Sequence, residues 1–275
     1  MLDILRHACI YLQVEPQRPL YQGGQKQVHV VKRSDGTEVV LKLIDLGQAT
    51  DPAALERAQR EVDLLQKIDH PNVVSVVSEL ELIDHPQPAA IWLEELLDGN
   101  DLRHSSYNWS YEDLKLLGSD IASGLGALHD LKVIHRDLSP GNIQCLTSRR
   151  YVVMDPGFAR HTLRSGLTIG GQPGTPGFMT PEHIQQYSGA PTAASDVFGC
   201  CSLVYFAACG NPPVPFKGDE SEYLSRLRTA EHRPLQTSRP DLPETFCQVI
   251  ERGLHPQPAR RYRNGKALKS AFEEA

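Results

Sequence analysis

The chain has no uninterrupted apolar run approaching the roughly 20 residues that a bilayer-spanning helix needs, so no membrane insertion is expected. Between Met1 and Arg18 the short apolar stretches are broken by Arg6, His7, Gln13 and Glu15, which is not the pattern of a secretory leader. A basic excess is also missing. With 28 Lys and Arg against 34 Asp and Glu, the net charge of −6 argues against a dedicated nucleic-acid or anionic-lipid surface. The six cysteines show no CxxC spacing and the eleven histidines no HxxxH cluster, so neither a disulfide framework nor a zinc site is expected. Reduced thiols in a cytoplasmic setting are the default for such a chain, and Cys200-Cys201, inside an apolar helical run, read as core. Internal repeats and low-complexity tracts are absent too.

What is present is an ordinary globular composition, 40% apolar and 23% charged, over 275 residues, enough for one large domain or two lobes. From Leu20 to Leu46 the β-branched runs "QVHVV" and "EVVLKLI" flank a Ser34-Asp35-Gly36 turn signal, which predicts an antiparallel hairpin preceded by a strand near Leu12 to Leu20. A helix follows, with Asp51 as N-cap, Pro52 at the first helical position, and Leu55, Ala58, Val62, Leu65 and Ile68 at helical spacing until "DHP" stops it. "VVSVVSELEL" and "AAIWLEELL" read as a strand pair.

"LDGNDL" is the candidate boundary, because beyond it the pattern turns helical. Ser110 and Asp113 have capping-box spacing ahead of a stripe formed by Leu114, Leu117, Ile121, Leu125 and Leu128. Val197 to Cys209 is apolar on nearly every side and should form a fully buried helix that stops at Gly210.

Polar residues with chemical potential recur in a fixed order: Lys42 in "VVLK", Glu61 in the following helix, Asp137 and Asn142 in "HRDLSPGN", Asp155 in "DPG", then "MTPE", Asp196 and Arg261. Singly, each has a plainer reading. Lys42 could be a solvated strand lysine, Glu61 a surface residue paired with Arg57 one turn back, "HRD" a helix-ending turn, Asp196 an N-cap and Arg261 a surface arginine. Together, in this order and spacing, they resemble the protein-kinase family over nearly the whole chain, from about Leu20 to Leu268, and look more like its bacterial members than its animal ones.

The resemblance implies an α+β, bilobal protein-kinase-like fold forming a single domain over residues 1–275. A small, mostly β N-lobe with one helix would span 1–97 and a larger helical C-lobe 98–275. It implies ATP as phosphoryl donor with Mg2+, or alternatively Mn2+, as the metal. Lys42 would hold the α- and β-phosphates, and Glu61 would fix its amine. Asn142 and Asp155 would ligate the metal, and Asp137 would orient the acceptor hydroxyl and take its proton. Tyr21, Gly23, Gly24, Val28, Lys42, Glu95 and Leu97 would contact the nucleotide. Asp196 would bind backbone amides of the "HRD" loop, and Arg261 would pair with Glu182.

The expected partners are a protein substrate and ATP, with no nucleic acid. The sequence carries no signal for an oligomeric state. The implied activity is phosphoryl transfer to serine or threonine hydroxyls of proteins. A pseudokinase that binds nucleotide weakly and serves as a scaffold is the alternative. A small-molecule phosphotransferase is disfavoured by "GTPGFMTPE" and Arg261.

Four departures from the family pattern stand out. The phosphate-covering loop has Tyr21, Gly23 and Lys26 where three glycines are expected. Ser139 replaces a lysine that would neutralise the transferring group, a role that Lys26 or Arg160 could take over. Glu94 falls before the hinge, where a buried carboxylate needs a partner. Pro156 follows Asp155 in place of phenylalanine, which predicts extended torsions at Asp155 and a metal-binding turn set differently from the usual active state. The resemblance implies that Arg136 reads a phosphate on the segment from Asp155 to Glu182, with Thr168 preferred over Thr162 and Ser165 as the modified residue; an unmodified polar loop is the equally weighted alternative.

Overall fold

The structure, a computed structural model, describes residues 2–22, 26–47, 54–105, 108–156, 175–184 and 192–275. These belong to two compact units, Met1–His70 with Val74–Leu97, and Pro71–Val73 with Asp98–Ala275. Among the described residues no helix is long and apolar enough to cross a membrane.

The first unit is built on an antiparallel sheet of β1 (Val14–Gln22), β2 (Lys26–Arg33), β3 (Glu38–Asp45), β4 (Glu81–Ile83) and β5 (Ala89–Glu95), in the order β1-β2-β3-β5-β4. The β2–β3 turn closes where Gly36 takes φ +88° and the Thr37 N–H donates to Asp35 Oδ1 at 2.8 Å. Register pairs Leu41 with Leu93 and Lys42 with Trp92, so period-two alternation sorts the strands onto two faces. One face carries Val39, Leu41, Leu43, Ile91 and Leu93, covered by Ile4, Ala8 and Cys9 of α1 (Leu2–Tyr11). The other carries Ile44, Ala90 and Trp92 against Ala54, Ala58 and Val62 of α2 (Ala54–Leu65).

Two expectations need correction in this unit. Helix α1 was not foreseen. Its buried positions Ile4 and Ala8 lie one turn apart, but its charged residues break the apolar run that a sequence reader looks for. Residues 73–82 are not a continuous strand: Val73 bridges singly to Val153 within the second unit, Val76 singly to Glu94 within the first, and β4 keeps only three residues. Their backbone pairs through isolated bridges instead of a ladder. The helix start expected at Asp51-Pro52 lies outside the described residues.

In the second unit α3 (Tyr111–Asp130) starts at the expected capping box. Ser110 Oγ accepts from the Asp113 N–H, the Ser110 N–H donates to Asp113 Oδ2, and Leu114, Leu117, Ile121, Leu125 and Leu128 are fully buried. Helix α4 (Ala193–Cys209) is buried through Tyr205, but Phe206 to Cys209 are half-buried, so the helix is less enclosed at its end than its composition suggested. Gly210 closes it at φ +76°. A short sheet of β6 (Asn100–Asp101), β7 (Ile143–Cys145) and β8 (Tyr151–Val153) and the helices α5 (Glu220–Thr229), α6 (Leu235–Ser238), α7 (Glu244–Gly253) and α8 (Gly265–Glu274) complete the unit. Phe272 of α8 sits so close to Gly118 of α3 that a Cβ there would meet the ring at 2.5 Å.

All six cysteines are free. Burial pushes the thiols of Cys9, Cys145 and Cys247 up to about 11, and that of Cys200 well above its ordinary value, so they stay protonated and unreactive.

Ile4→Ala should lower stability by about 2–5 kcal/mol in urea unfolding, the loss for truncating a fully packed isoleucine. A change under about 0.5 kcal/mol would show that α1 does not seal the sheet.

Candidate active site

In the first unit the site grows from strand register. Tyr21 pairs with Val28, Val28 with Lys42, and Lys42 with Trp92, a row running across β1, β2, β3 and β5. Lys42 is 5% exposed, and a buried ammonium needs counterions. It has two. Nζ lies 3.3 Å from Glu61 Oε1 on α2 and 2.6 Å from Glu94 Oε1 on β5. Glu61 is fully buried, so it is not a surface residue, and Glu94 is 4% exposed.

Glu94 thus has the partner that its position demanded. The Trp92 indole N–H also donates to Glu94 Oε1, at 2.9 Å, and Lys42 Nζ sits 5.8 Å from the Trp92 ring centroid. Of the other nucleotide-contact expectations here, Val28 is buried, Tyr21 lies at the edge of exposure and Leu97 is half-buried. Glu95 accepts from the Ser75 N–H at 2.7 Å. Gly23 and Gly24 lie outside the described residues.

In the second unit the loop after α3 is organised by Asp196, which sits in the first turn of α4. The N-cap of that helix is Thr192, so Asp196 is not a plain cap. Its Oδ2 accepts from the His135 N–H at 2.8 Å and from His129 Nε2–H at 2.9 Å, and its Oδ1 accepts from the Arg136 N–H at 3.0 Å. Arg136 is thereby held at φ +66°, a left-handed conformation that costs a non-glycine residue roughly 1–2 kcal/mol.

The turn delivers Asp137. Its N–H donates to His135 Nδ1 at 3.3 Å, while His135 Nε2–H donates to the Met154 carbonyl at 3.0 Å, which fixes one neutral tautomer of His135. Asn142 Nδ2 donates to both the backbone carbonyl and the Oδ2 of Asp137, each at 2.8 Å. With its amide protons so placed, Asn142 retains Oδ1 as the atom suited to a hard metal ion.

Asp155 follows Met154 at φ +51°. That overturns the expectation of extended torsions. A following proline disfavours the right-handed helical region, but an aspartate also tolerates the left-handed one, and the chain takes that route. The differently set metal-binding turn loses its stated basis, the more so because Glu61 lies against Lys42.

Among the described residues no group of three or more His, Cys, Asp or Glu is placed to hold a metal. The carboxylate of Asp155 and the Oδ1 of Asn142 are hard oxygen donors, of the kind a divalent cation takes alongside phosphate oxygens. Ser139 is buried and stands at the N-cap position of the short 3-10 turn Pro140–Asn142, with no side-chain capping bond. Arg160 and the candidate phosphosites Thr162, Ser165 and Thr168 lie outside the described residues.

Arg261 is 4% exposed and grips Glu182 with two bonds, Nη1 to Oε1 at 2.7 Å and Nη2 to Oε2 at 3.2 Å. Its other protons go to the carbonyls of Ala194, His255 and Pro256. Sequence reasoning missed His129, whose Nδ1 accepts from the Gly265 N–H at 3.0 Å and so ties Asp196 to the start of α8. Its signal was a polar residue one position past the apolar stripe of α3. Trp92 was missed as well, as one aromatic residue in an apolar strand.

The model of the protein kinase domain matches residues 16–272. The chain belongs to the protein kinase domain family. The domain is 33% identical to the serine/threonine-protein kinase PkaA of Streptomyces coelicolor over 82% of this chain and 41% of that protein. It is 32% identical to the DNA damage-responsive serine/threonine-protein kinase RqkA of Deinococcus radiodurans over 90% of this chain and 37% of that protein. It is 28% identical to the human calcium/calmodulin-dependent protein kinase type 1B over 86% of this chain and 68% of that one. The chain therefore spans about two-fifths of the length of the two bacterial relatives. Members of the family use ATP and a divalent metal in general, and the kinase domain's sheet-bearing N-terminal part and helical C-terminal part match its fold.

Arg261→Ala should destabilise the kinase domain by about 3–5 kcal/mol, because Glu182 would be left buried without its counterion. Replacing both partners, Arg261→Met with Glu182→Leu, should recover much of that loss in urea unfolding. A double variant no more stable than Arg261→Ala would contradict the pairing energetics.

Proposed function

We propose that this kinase domain transfers the γ-phosphoryl group of ATP to serine or threonine hydroxyls of a protein substrate. The observation that carries the reading is the Asp137–Asn142 pair: a carboxylate held by the side-chain amide of Asn142, on a backbone turn fixed by Asp196. A carboxylate so fixed can accept a hydrogen bond from an acceptor hydroxyl, align its oxygen, and take its proton as the P–O bond forms. ADP leaves with the electron pair of the broken bond, and the proton ends on Asp137.

Lys42, buried and held by Glu61 and Glu94, supplies the other requirement, a cation for the nucleotide phosphates. Asn142 and Asp155 are the residues that would hold Mg2+, which when bound supplies positive charge to the phosphates. Val28 and Tyr21, in the same cross-strand row as Lys42, extend the nucleotide face of the first unit. Protein hydroxyls as acceptors are supported by the relatives named as serine/threonine-protein kinases. The segment Thr175–Ile184, which contains the Glu182 anchored by Arg261, also supports a peptide as the acceptor.

Ser139 leaves the transferring group without the usual nearby ammonium, so the rate should be limited there. Transfer from γ-labelled ATP to casein and to the chain itself tests the reading. Asp137→Ala should lower it at least a hundredfold, and Ser139→Lys should raise it about tenfold, the range for supplying or removing one charge-stabilising group. Transfer that survives Asp137→Ala would reject Asp137 as the proton acceptor.

A further inference from the structure

Lys42 makes a second buried carboxylate contact beside the one to Glu61. One ammonium faces two buried carboxylates, and the nearer is Glu94 at 2.6 Å, against 3.3 Å for Glu61. The geometry follows from the sheet. Trp92 stands directly opposite Lys42, and Glu94 lies two residues further along β5, hence on the same face and diagonal to Lys42. The contact is therefore built into strand register and does not depend on a surface rotamer.

Glu94 is also anchored. Its Oε1 accepts from the Trp92 indole N–H at 2.9 Å while facing Lys42 Nζ, so the same oxygen serves both donors. The surrounding face is apolar, with Ile44 and Ala90 alongside, and charges attract more strongly there than in water. A phosphate that approaches Lys42 competes with this fixed oxygen.

We propose that Glu94 is a positioning residue that holds Lys42 Nζ against β5 and competes with the nucleotide phosphates for it, weakening nucleotide affinity. The inference rests on the reading of Lys42 as the phosphate-binding residue. Trp92 tunes the competition: its N–H satisfies part of Glu94 and lessens the hold of that carboxylate on Lys42.

Calorimetric titration of ADP in the presence of Mg2+ tests it, using the whole chain as wild type, Glu94→Gln, Lys42→Met, the Lys42→Met/Glu94→Gln double variant, and Trp92→Phe. Glu94→Gln keeps the shape and an oxygen for the Trp92 N–H, and it should bind ADP roughly tenfold more tightly than wild type, the size of one charge-assisted hydrogen bond. In the Lys42→Met background the same substitution should change affinity less than about twofold, because the gain acts through Lys42. Trp92→Phe should move affinity the other way, towards weaker binding.

Wild type that binds ADP, with Glu94→Gln binding equally or more weakly, overturns the proposal and leaves the reading of Lys42 standing. A gain that persists undiminished without Lys42, or Glu94→Gln and Trp92→Phe shifting in the same direction, also overturns it. No binding by any variant, wild type included, overturns the reading of Lys42 and the proposal with it.

Discussion

One buried carboxylate governs the loop that holds Asp137 and Asn142. Asp196 accepts from two consecutive backbone amides, those of His135 and Arg136, and from the His129 ring, and it does so from the first turn of α4, where the helix dipole favours negative charge. Bonds to a charged acceptor contribute about 1.5–3 kcal/mol each, which outweighs the roughly 1–2 kcal/mol of left-handed strain at Arg136. The strained residue is then a consequence of the anchor. From it follow the direction of Asp137, the bond between His135 and the Met154 carbonyl, and hence the end of β8 from which Asp155 emerges.

Two other buried charge clusters differ in how their charges are shared. Arg261 and Glu182 meet fork to fork, and the remaining guanidinium protons find carbonyls, so the pair is internally satisfied and suited to tie α4 to the segment that ends at Glu182. Lys42 is different. Its ammonium is shared by two carboxylates from different elements, and the second, Glu94, is supplied by a strand whose register fixes it.

Much of this was legible before any coordinates. The β2–β3 hairpin was signalled by β-branched runs around Ser34-Asp35-Gly36, and α3 by its capping box and leucine stripe, because local chemistry and global packing agree at those places. Asp196 and the Arg261–Glu182 pair were legible through resemblance, since no local pattern distinguishes a loop-binding aspartate from a cap. Helix α1 escaped because its buried face, Ile4 and Ala8, is narrow and interrupted by charge. Residues 73–82 were misread because β-branched alternation cannot tell a ladder from single bridges made to different units. The torsion at Asp155 was misjudged because the proline rule excludes one region without choosing between the remaining two. Glu94 could be flagged as an anomaly, yet its partners Lys42 and Trp92 depend on register across β3 and β5, which the sequence does not print.

The most direct test of the account is electron paramagnetic resonance of Mn2+, used as a probe for the divalent ion, with ADP added to the wild-type chain and to Asn142→Leu and Asp155→Asn. The account predicts that the wild type removes free Mn2+ signal only when ADP is present, because the protein supplies too few ligands by itself, and that either substitution strongly reduces this nucleotide-dependent uptake. Equal uptake by Asp155→Asn, or full uptake by the wild type without ADP, would contradict it.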